Sequence, residues 1–360
     1  MSVSYGGDSI TFADSSTIAS GFTGFKNRVI NGGMDIAQRG TSFTSTSSAN
    51  NDDTYVLDRF YILSDGNDIV DVTQTTTVPT GAKYSIGLDV ETVNKKFGIA
   101  QIIENANCYD AIGGNVTISF QAKVSATANL DNIKCAIVAW SGTADTVTSD
   151  IISAWGAEGT NPTLIANATY ENTPANLGVT TSFATYSVTA NVDTASTSNI
   201  ILFIWSDVTT TALGEFLYIT NVQLEKGSTA TSFEYRSFGA EYALCQRYYY
   251  QVGGNSFVGT AAYTAVAGGM IWNTGAGDFM IPYKVSMRSA PTIINSNMGV
   301  QYATTAALIS SLDTVGGTTQ NAAFVRANFA SPGNAWTAGA AVNMCSNNSS
   351  TAYFAFNAEL

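Results

Sequence analysis

Asn115-Val116-Thr117-Ile118-Ser119-Phe120-Gln121-Ala122-Lys123 alternates apolar and polar side chains without a break. Successive side chains of an extended chain point to opposite faces. The stretch therefore reads as a strand with one face in a core and the other outside. Cys135–Trp140 (CAIVAW), Ser182–Val188 (SFATYSV), Asn199–Trp205 (NIILFIW) and Glu215–Leu224 (EFLYITNVQL) read in the same style. Turns rich in Asn, Gly, Asp, Ser and Thr separate them, which predicts half-buried antiparallel strands. Roughly eight to ten such strands suit one β-sandwich, placed here over residues 27–237.

The flanks read differently. Residues 1–26 are rich in Gly, Ser and Thr, with one short alternating run, Ser9–Ala13. Such a run is too short to bury a face alone, so an arm docking on a partner is expected. Phe238–Gln251 (FGAEYALCQRYYYQ) places Ala243, Leu244, Arg247 and Tyr248 at helical spacing and is expected as a linking helix. Tyr248, Tyr249 and Tyr250 then point in different directions and are expected to fasten two domains together. Residues 252–360 carry three basic groups (Lys284, Arg288, Arg326) against three acidic ones (Asp278, Asp313, Glu359), so the net charge of −12 lies entirely before them. A surface so poor in charge is expected to be covered by other copies of the chain. The fold class predicted is all-β: an N-terminal arm, a jelly-roll β-sandwich, a short linking helix and a C-terminal β-sandwich domain.

Composition removes several chemistries. The 360 residues include no histidine, so His-based triads and His-ligated metals are excluded. Only 12% of residues are charged, with 27 acidic against 15 basic. No basic footprint for nucleic acid exists. No stretch approaches ~18 consecutive apolar residues, so membrane insertion is not expected. The N-terminus lacks the basic and apolar regions of a signal peptide. Cys108, Cys135, Cys245 and Cys345 form no CxxC pair and are expected buried and reduced.

Local phrases then carry a resemblance. Asn31-Gly32-Gly33-Met34-Asp35 is followed by Gln38-Arg39-Gly40, Asp58-Arg59-Phe60 and Gln101–Asn105 (QIIEN). After the strand ending Phe120-Gln121-Ala122-Lys123 come Val222-Gln223-Leu224-Glu225-Lys226-Gly227, Ser232–Arg236 (SFEYR) and Cys245-Gln246-Arg247-Tyr248-Tyr249. As an ordered set over residues 27–250 this resembles structural proteins of tailed bacteriophages, chiefly tail fibres and receptor-binding proteins. The sandwich is also similar to jelly-roll carbohydrate-binding modules, which open near a phrase like Asn31–Asp35 and close near one like Thr220–Glu225. That resemblance implies that the two phrases meet in space. It also implies a structural calcium held by Asp35 with a group near Asn221 or Gln223. Here Thr220 and Asn221 stand where such modules carry an acidic pair.

Among the remaining side chains, Trp155 sits in a loop, Ile151–Gly159, near Asp150 and Glu158. An exposed aromatic beside carboxylates suits the apolar C–H face of a sugar. Trp155, Asp150, Glu158 and Tyr170 are therefore the candidate glycan ligands, whereas Trp140 and Trp205 end apolar strands and belong in a core. Asn51-Asp52-Asp53 and Asp65-Gly66-Asn67-Asp68 read as Asx turns. The second lacks EF-hand spacing, and Thr76 occupies the twelfth position. Asp58 and Arg59 read as a structural pair.

No P-loop, nucleophile elbow, dinucleotide fingerprint or β-helix period occurs, so no enzymatic activity is expected. The expectation is a homotrimeric virion protein on the tail or capsid surface. It would dock to other virion proteins through residues 1–26 and recognise a host surface glycan. The alternatives are a capsid or tail decoration protein of the same fold and, third, a glycan-degrading tail enzyme.

Overall fold

A computed structural model describes residues 4–6, 9–11, 17–19, 25–253, 265–302, 305–330, 336–347, 349 and 351–360. In the arm, three strands rather than one are found: Ser4–Gly6, Ser9–Thr11 and Thr17–Ala19. They form an antiparallel meander with Tyr5 opposite Ile10 and Ile10 opposite Ile18. A lone three-residue strand leaves its backbone groups unpaired, and the meander pairs them.

Residues 42–226 build the sandwich. One sheet orders its strands Ala168–Tyr170, Ile133–Trp140, Asn199–Ser206, Phe97–Ile103, Tyr61–Ser64. The other orders them Ala184–Asn191, Asn115–Val124, Phe216–Lys226, Ser85–Val90, Val70–Thr75, Ser42–Phe43. The apolar half of the opening stretch lies in the core as read, but on its polar face Thr117 and Ser119 are buried as well. Val116, Ile118, Phe120, Ala122 and Val124 enter the core between the sheets, against Ile99, Ile137, Leu202 and Ile204.

The two sheets differ in a way the uniform expectation of half-buried strands missed. In Ile133–Trp140 and Asn199–Ser206 every residue is buried. Their second face carries Val138, Trp140, Ile201, Phe203 and Trp205, and it packs under Val147, Ile151 and Trp155 from the segment that follows. A strand covered on both sides reads as a continuous apolar run rather than an alternation, and CAIVAW and NIILFIW are such runs. Trp140 and Trp205 are in this core, as expected.

Gly98 makes the packing possible. It lies opposite Trp205, and a Cβ there would fall 2.2 Å from Ile204 O and 2.6 Å from Trp205 Cβ. The freed space lets the Trp205 ring stack on Phe203 with centroids 4.4 Å apart.

The opening and closing phrases of the sandwich meet. Arg28 N donates to Leu224 O at 2.8 Å and Val222 N to Gly32 O at 2.9 Å. Gly32 permits the approach, because a Cβ would lie 2.0 Å from Val222 O.

The helix spans Phe238–Gln246, shorter than the expected 238–251. Tyr249–Gly253 is instead a strand, paired with Tyr353–Asn357, which also pairs with Thr292–Ser296. That pairing partner lies more than a hundred residues away and has no local signature. Beyond it, the strands expected as a second sandwich close on themselves. Ala265–Asn273, Ala276–Pro282, Ala322–Phe329, Thr305–Thr318, Gly299–Tyr302 and Ala341–Cys345 form a barrel around Ile271, Phe279, Val300, Val325 and Met344. Closure pairs the edges that an open sheet would leave bare.

All four cysteines are free and buried. Burial pushes the Cys108 thiol up to about 12, so it stays protonated and unreactive. Among the described residues no helix is long and apolar enough to cross a membrane. Gly98→Ala is expected to destabilise the chain by about 1–3 kcal/mol through overpacking. Urea unfolding checks this, and an unchanged midpoint would mean that the sheet has room for the methyl.

Candidate functional site

Four of the phrases that carried the resemblance, those holding Gln38-Arg39, Asp58-Arg59, Glu104 and Arg247-Tyr248-Tyr249, converge on one place, the joint between the sandwich and the C-terminal strands. Glu359 bridges Arg39, at 3.1 Å, and Arg59. The Arg39 guanidinium lies 3.6 Å from the Tyr249 ring centroid, and that of Arg59 lies 3.7 Å from Tyr248. Arg59 also donates to Ile102 O at 2.6 Å. These partners hold Arg59 at a φ of 71°, a left-handed conformation unusual for a side chain of this size.

Gln38 N donates to Asp58 Oδ2 at 2.7 Å, and Gln38 Nε2 to Tyr249 O at 2.7 Å. Arg247 reaches Glu104 at 2.7 Å, and the Tyr248 hydroxyl donates to the same carboxylate at 2.6 Å. Burial opposes ionisation of Glu104, but hydrogen bonds from Arg247 and Tyr248 prevail and hold its carboxyl below the ordinary value. The motif residues are thus paired with one another. Asp58 and Arg59 are structural, and Tyr248 and Tyr249 tie the helix end to both halves.

Where the opening and closing phrases meet, the positive charge belongs to a side chain. Arg236 Nη1 donates to Val29 O at 3.0 Å and reaches the Glu241 carboxylate at 3.0 Å, and its Nη2 donates to Asn27 O. Gln223 is engaged at both ends: Nε2 donates to Glu225 at 2.8 Å, and Oε1 accepts from Glu234 N at 2.9 Å. Asn221 Nδ2 donates to Gln121 at 2.6 Å. Burial pushes Asp35 up, Lys83 opposes, and Glu241 adds to the rise.

Calcium takes six to eight oxygens. No group of three or more acidic or cysteine side chains suited to a metal forms among the described residues. Gln223 is committed at both ends, whereas Asn221 Oδ1 is buried without a hydrogen-bond partner, and Arg236 ties Asn27 and Val29 to Glu241 beside them.

The proposed sugar ligands are not one open site. Trp155 is buried, with 8% exposure, edge-on to Phe203 at 5.9 Å. Its loop is fastened by Lys96, whose ammonium donates to Ala157 O at 2.7 Å and Thr160 O at 3.0 Å and pairs with Asp207. Asp207 also pairs with Lys134 at 2.7 Å. Glu158 is exposed but accepts from Thr209 N and Oγ1, both at 2.9 Å. The Tyr170 hydroxyl donates to Pro162 O at 2.8 Å. Asp150 is exposed, and its charge adds to the rise of Asp52 and Asp53.

A different aromatic platform lies on the outer face of the six-stranded sheet. Phe216 and Tyr218 stand two apart on one strand, so both rings leave the same face. They stack with centroids 5.3 Å apart and an interplanar angle of 6°. Lys123 Nζ lies 5.1 Å from the Tyr218 centroid and 5.4 Å from that of Phe183. Phe216 is registered opposite Asp89, and Tyr218 opposite Gly87 and Lys123. Burial, then the charges of Glu91 and Asp71, push Asp89 up to about 6, and its Oδ1 has no hydrogen-bond partner. Rings, a carboxylate and an ammonium, half-exposed on one sheet face, can stack on a pyranose and hydrogen-bond its hydroxyls. The signal was present in the sequence as Phe216-Leu217-Tyr218-Ile219, with aromatics and aliphatics alternating.

No family model and no curated protein matches the chain. Among solved structures it is similar to the enzymatically active domain of tailspike protein 4 of bacteriophage CBA120. That match has 19% identity and a TM-score of 0.32 over 56% of this chain and 21% of that one. It is also similar to the CBM22-1 xylan-binding domain of Paenibacillus barcinonensis Xyn10C, at 13% identity and TM-score 0.28 over 47% of this chain and 87% of that one. The CBM22-1-GH10 modules of Clostridium thermocellum xylanase 10B match at 12% identity and TM-score 0.32, over 55% and 29%. This chain thus spans about a fifth of the tailspike domain's length. At these scores the fold assignment rests on the strands and pairings described above.

Glu359→Gln leaves two guanidiniums short of a buried partner and is expected to cost about 3–5 kcal/mol. Removing the half-exposed Arg28–Asp110 pair is expected to cost under about 1 kcal/mol. Denaturant unfolding of both variants tests the contrast. Burial and the nearby Asp52 and Asp150 push Asp53 up to about 7, above the ~3.9 of an unfolded aspartate. Its contribution to stability is therefore complete below about pH 4 and is lost as pH rises through about 7. Asp53→Asn, which tolerates the local φ of 61°, is expected to raise Tm at pH 8 and leave it unchanged at pH 4. EDTA is expected to leave Tm unchanged, whereas Arg236→Gln lowers it.

Proposed function

We propose that this chain is a virion structural protein of a tailed bacteriophage, a homotrimeric tail fibre or receptor-binding protein. It docks through residues 1–26 and recognises a host surface glycan with the outer face of the six-stranded sheet. The observation that carries the glycan reading is the stacked Phe216–Tyr218 pair flanked by Lys123 and Asp89, all half-exposed on one sheet face. Aromatic faces of this kind take up the apolar side of a sugar ring, while a few polar groups select its hydroxyls.

The face acts by binding rather than cleavage. What supports this is that the carboxylates at the joint, Glu104 and Glu359, are held by arginines. Single contacts of this size are weak, and copy number multiplies them into useful avidity. The virion role rests on the ordered set of phrases over residues 27–250.

On a glycan array or intact host cells, the multimer is expected to bind. Tyr218→Ala is expected to weaken binding roughly tenfold or more, about 1.4 kcal/mol, with little change in Tm. Binding unaffected by Tyr218→Ala would remove the platform, and no binding above background would remove glycan recognition. Labelled antibody on virions is expected at the tail, and label confined to the head would favour the decoration protein. New reducing ends, abolished by one carboxylate substitution, would replace binding with cleavage.

A further inference from the structure

Three neighbouring strands of the barrel are apolar on both sides. Ile271, Phe279, Ile281 and Val325 point into the barrel core. On the outside, Met270, Trp272, Met280 and Phe324 are 51%, 55%, 55% and 44% exposed. Pairing sets Met280 opposite Phe324 and Met270 opposite Asp278, so these side chains form one continuous patch. Met270, Met280 and Phe324 border a groove of about 520 Å³ that Gly268, Gly269 and Val325 also line. A strand that is apolar on both faces is normally covered on both faces, and contiguous apolar patches on a surface mark interaction sites.

Charge identifies what covers it. The two charged groups among these outward residues, Asp278 and Arg326, neutralise each other through bonds of 2.7 and 2.8 Å. The Arg326 guanidinium lies 4.2 Å from the Trp272 ring centroid. Arg288 and Glu359 are directed to the joint instead. The chain's net charge of −12 lies wholly before residue 252. Two copies therefore repel each other through their sandwiches and meet without that penalty at the barrel. We infer that the Met270–Trp272–Met280–Phe324 face is where copies of this chain pack together. The methionines supply an adaptable surface for the contact. The inference rests on the homo-oligomeric part of the proposed function and names its surface.

Light scattering on the full chain, with Met280→Glu/Phe324→Glu beside a control, Tyr109→Glu, tests it. Tyr109 is 67% exposed on the sandwich. Wild type and control are expected to be oligomeric, and the double variant monomeric with an unchanged circular dichroism spectrum. A second readout needs no variant. Trp140, Trp155, Trp205 and Trp336 are all at most 8% exposed, so acrylamide quenching reports on Trp272. Quenching is expected to be weak in the oligomer and to rise several-fold on dilution to monomer.

A monomeric wild type overturns both this inference and the trimer, leaving glycan binding to its own test. A folded double variant that stays oligomeric overturns the face alone. So does a wild-type oligomer in which Trp272 is freely quenched, whether or not the variant folds.

Discussion

Glu359, placed between Arg39 and Arg59, joins the two halves of the molecule. Each guanidinium is sandwiched between that carboxylate and a tyrosine ring, Tyr249 for Arg39 and Tyr248 for Arg59. Arg59 and the Glu359 carboxylate are almost wholly out of water, so removing Glu359 leaves Arg59 a buried charge without its counter-charge. The consequences spread from there. Arg59 keeps a left-handed backbone, Asp58 is free to anchor Gln38, and the strand Tyr353–Asn357 is brought beside Tyr249–Gly253. Two more ties lie close by, from the Tyr55 hydroxyl to Leu360 O at 2.7 Å and from Arg288 to Ala358 O at 2.9 Å.

That joint brings together short phrases scattered over the chain. Gln38-Arg39, Asp58-Arg59, Glu104 and Arg247-Tyr248-Tyr249 look like a dispersed active site, with acids, bases and hydroxyls in abundance. Their mutual pairing leaves none of that chemistry turned toward a ligand. The surfaces available for recognition are elsewhere. One is the outer face of the six-stranded sheet around Phe216 and Tyr218, and the other is the barrel face around Met280 and Phe324. The five-stranded sheet offers no such surface, because the segment after Trp140 covers it and the Lys96 ammonium pins the loop that follows Trp155.

Legibility followed the range of the interactions. The alternation of Asn115–Val124 needs only its own residues to be read, and Val116, Ile118 and Phe120 are in the core it implies. The end of the helix was not legible, because Tyr249 leaves the helical path to pair with Asn357 across more than a hundred residues. Trp155 misled for a similar reason. Its neighbours in sequence are polar, but its burial is set by Phe203 and by the loop held on Lys96. Phe216 and Tyr218 were readable in principle, since two aromatics at a spacing of two share a strand face.

The sequence by itself determined the all-β class, the positions of five sandwich strands, the absence of histidine chemistry and the division of charge at residue 252. These are properties of composition and of period-two patterning, which act locally. Tertiary structure alone decided which sheet is covered on both faces, that the last strands close into a barrel, and that Arg236 ties the opening phrase to Glu241. Each of those outcomes depends on residues far apart in the chain meeting in a shared low-dielectric space. There a charge needs a partner and an apolar face needs a cover, and no local pattern records which distant residue supplies them.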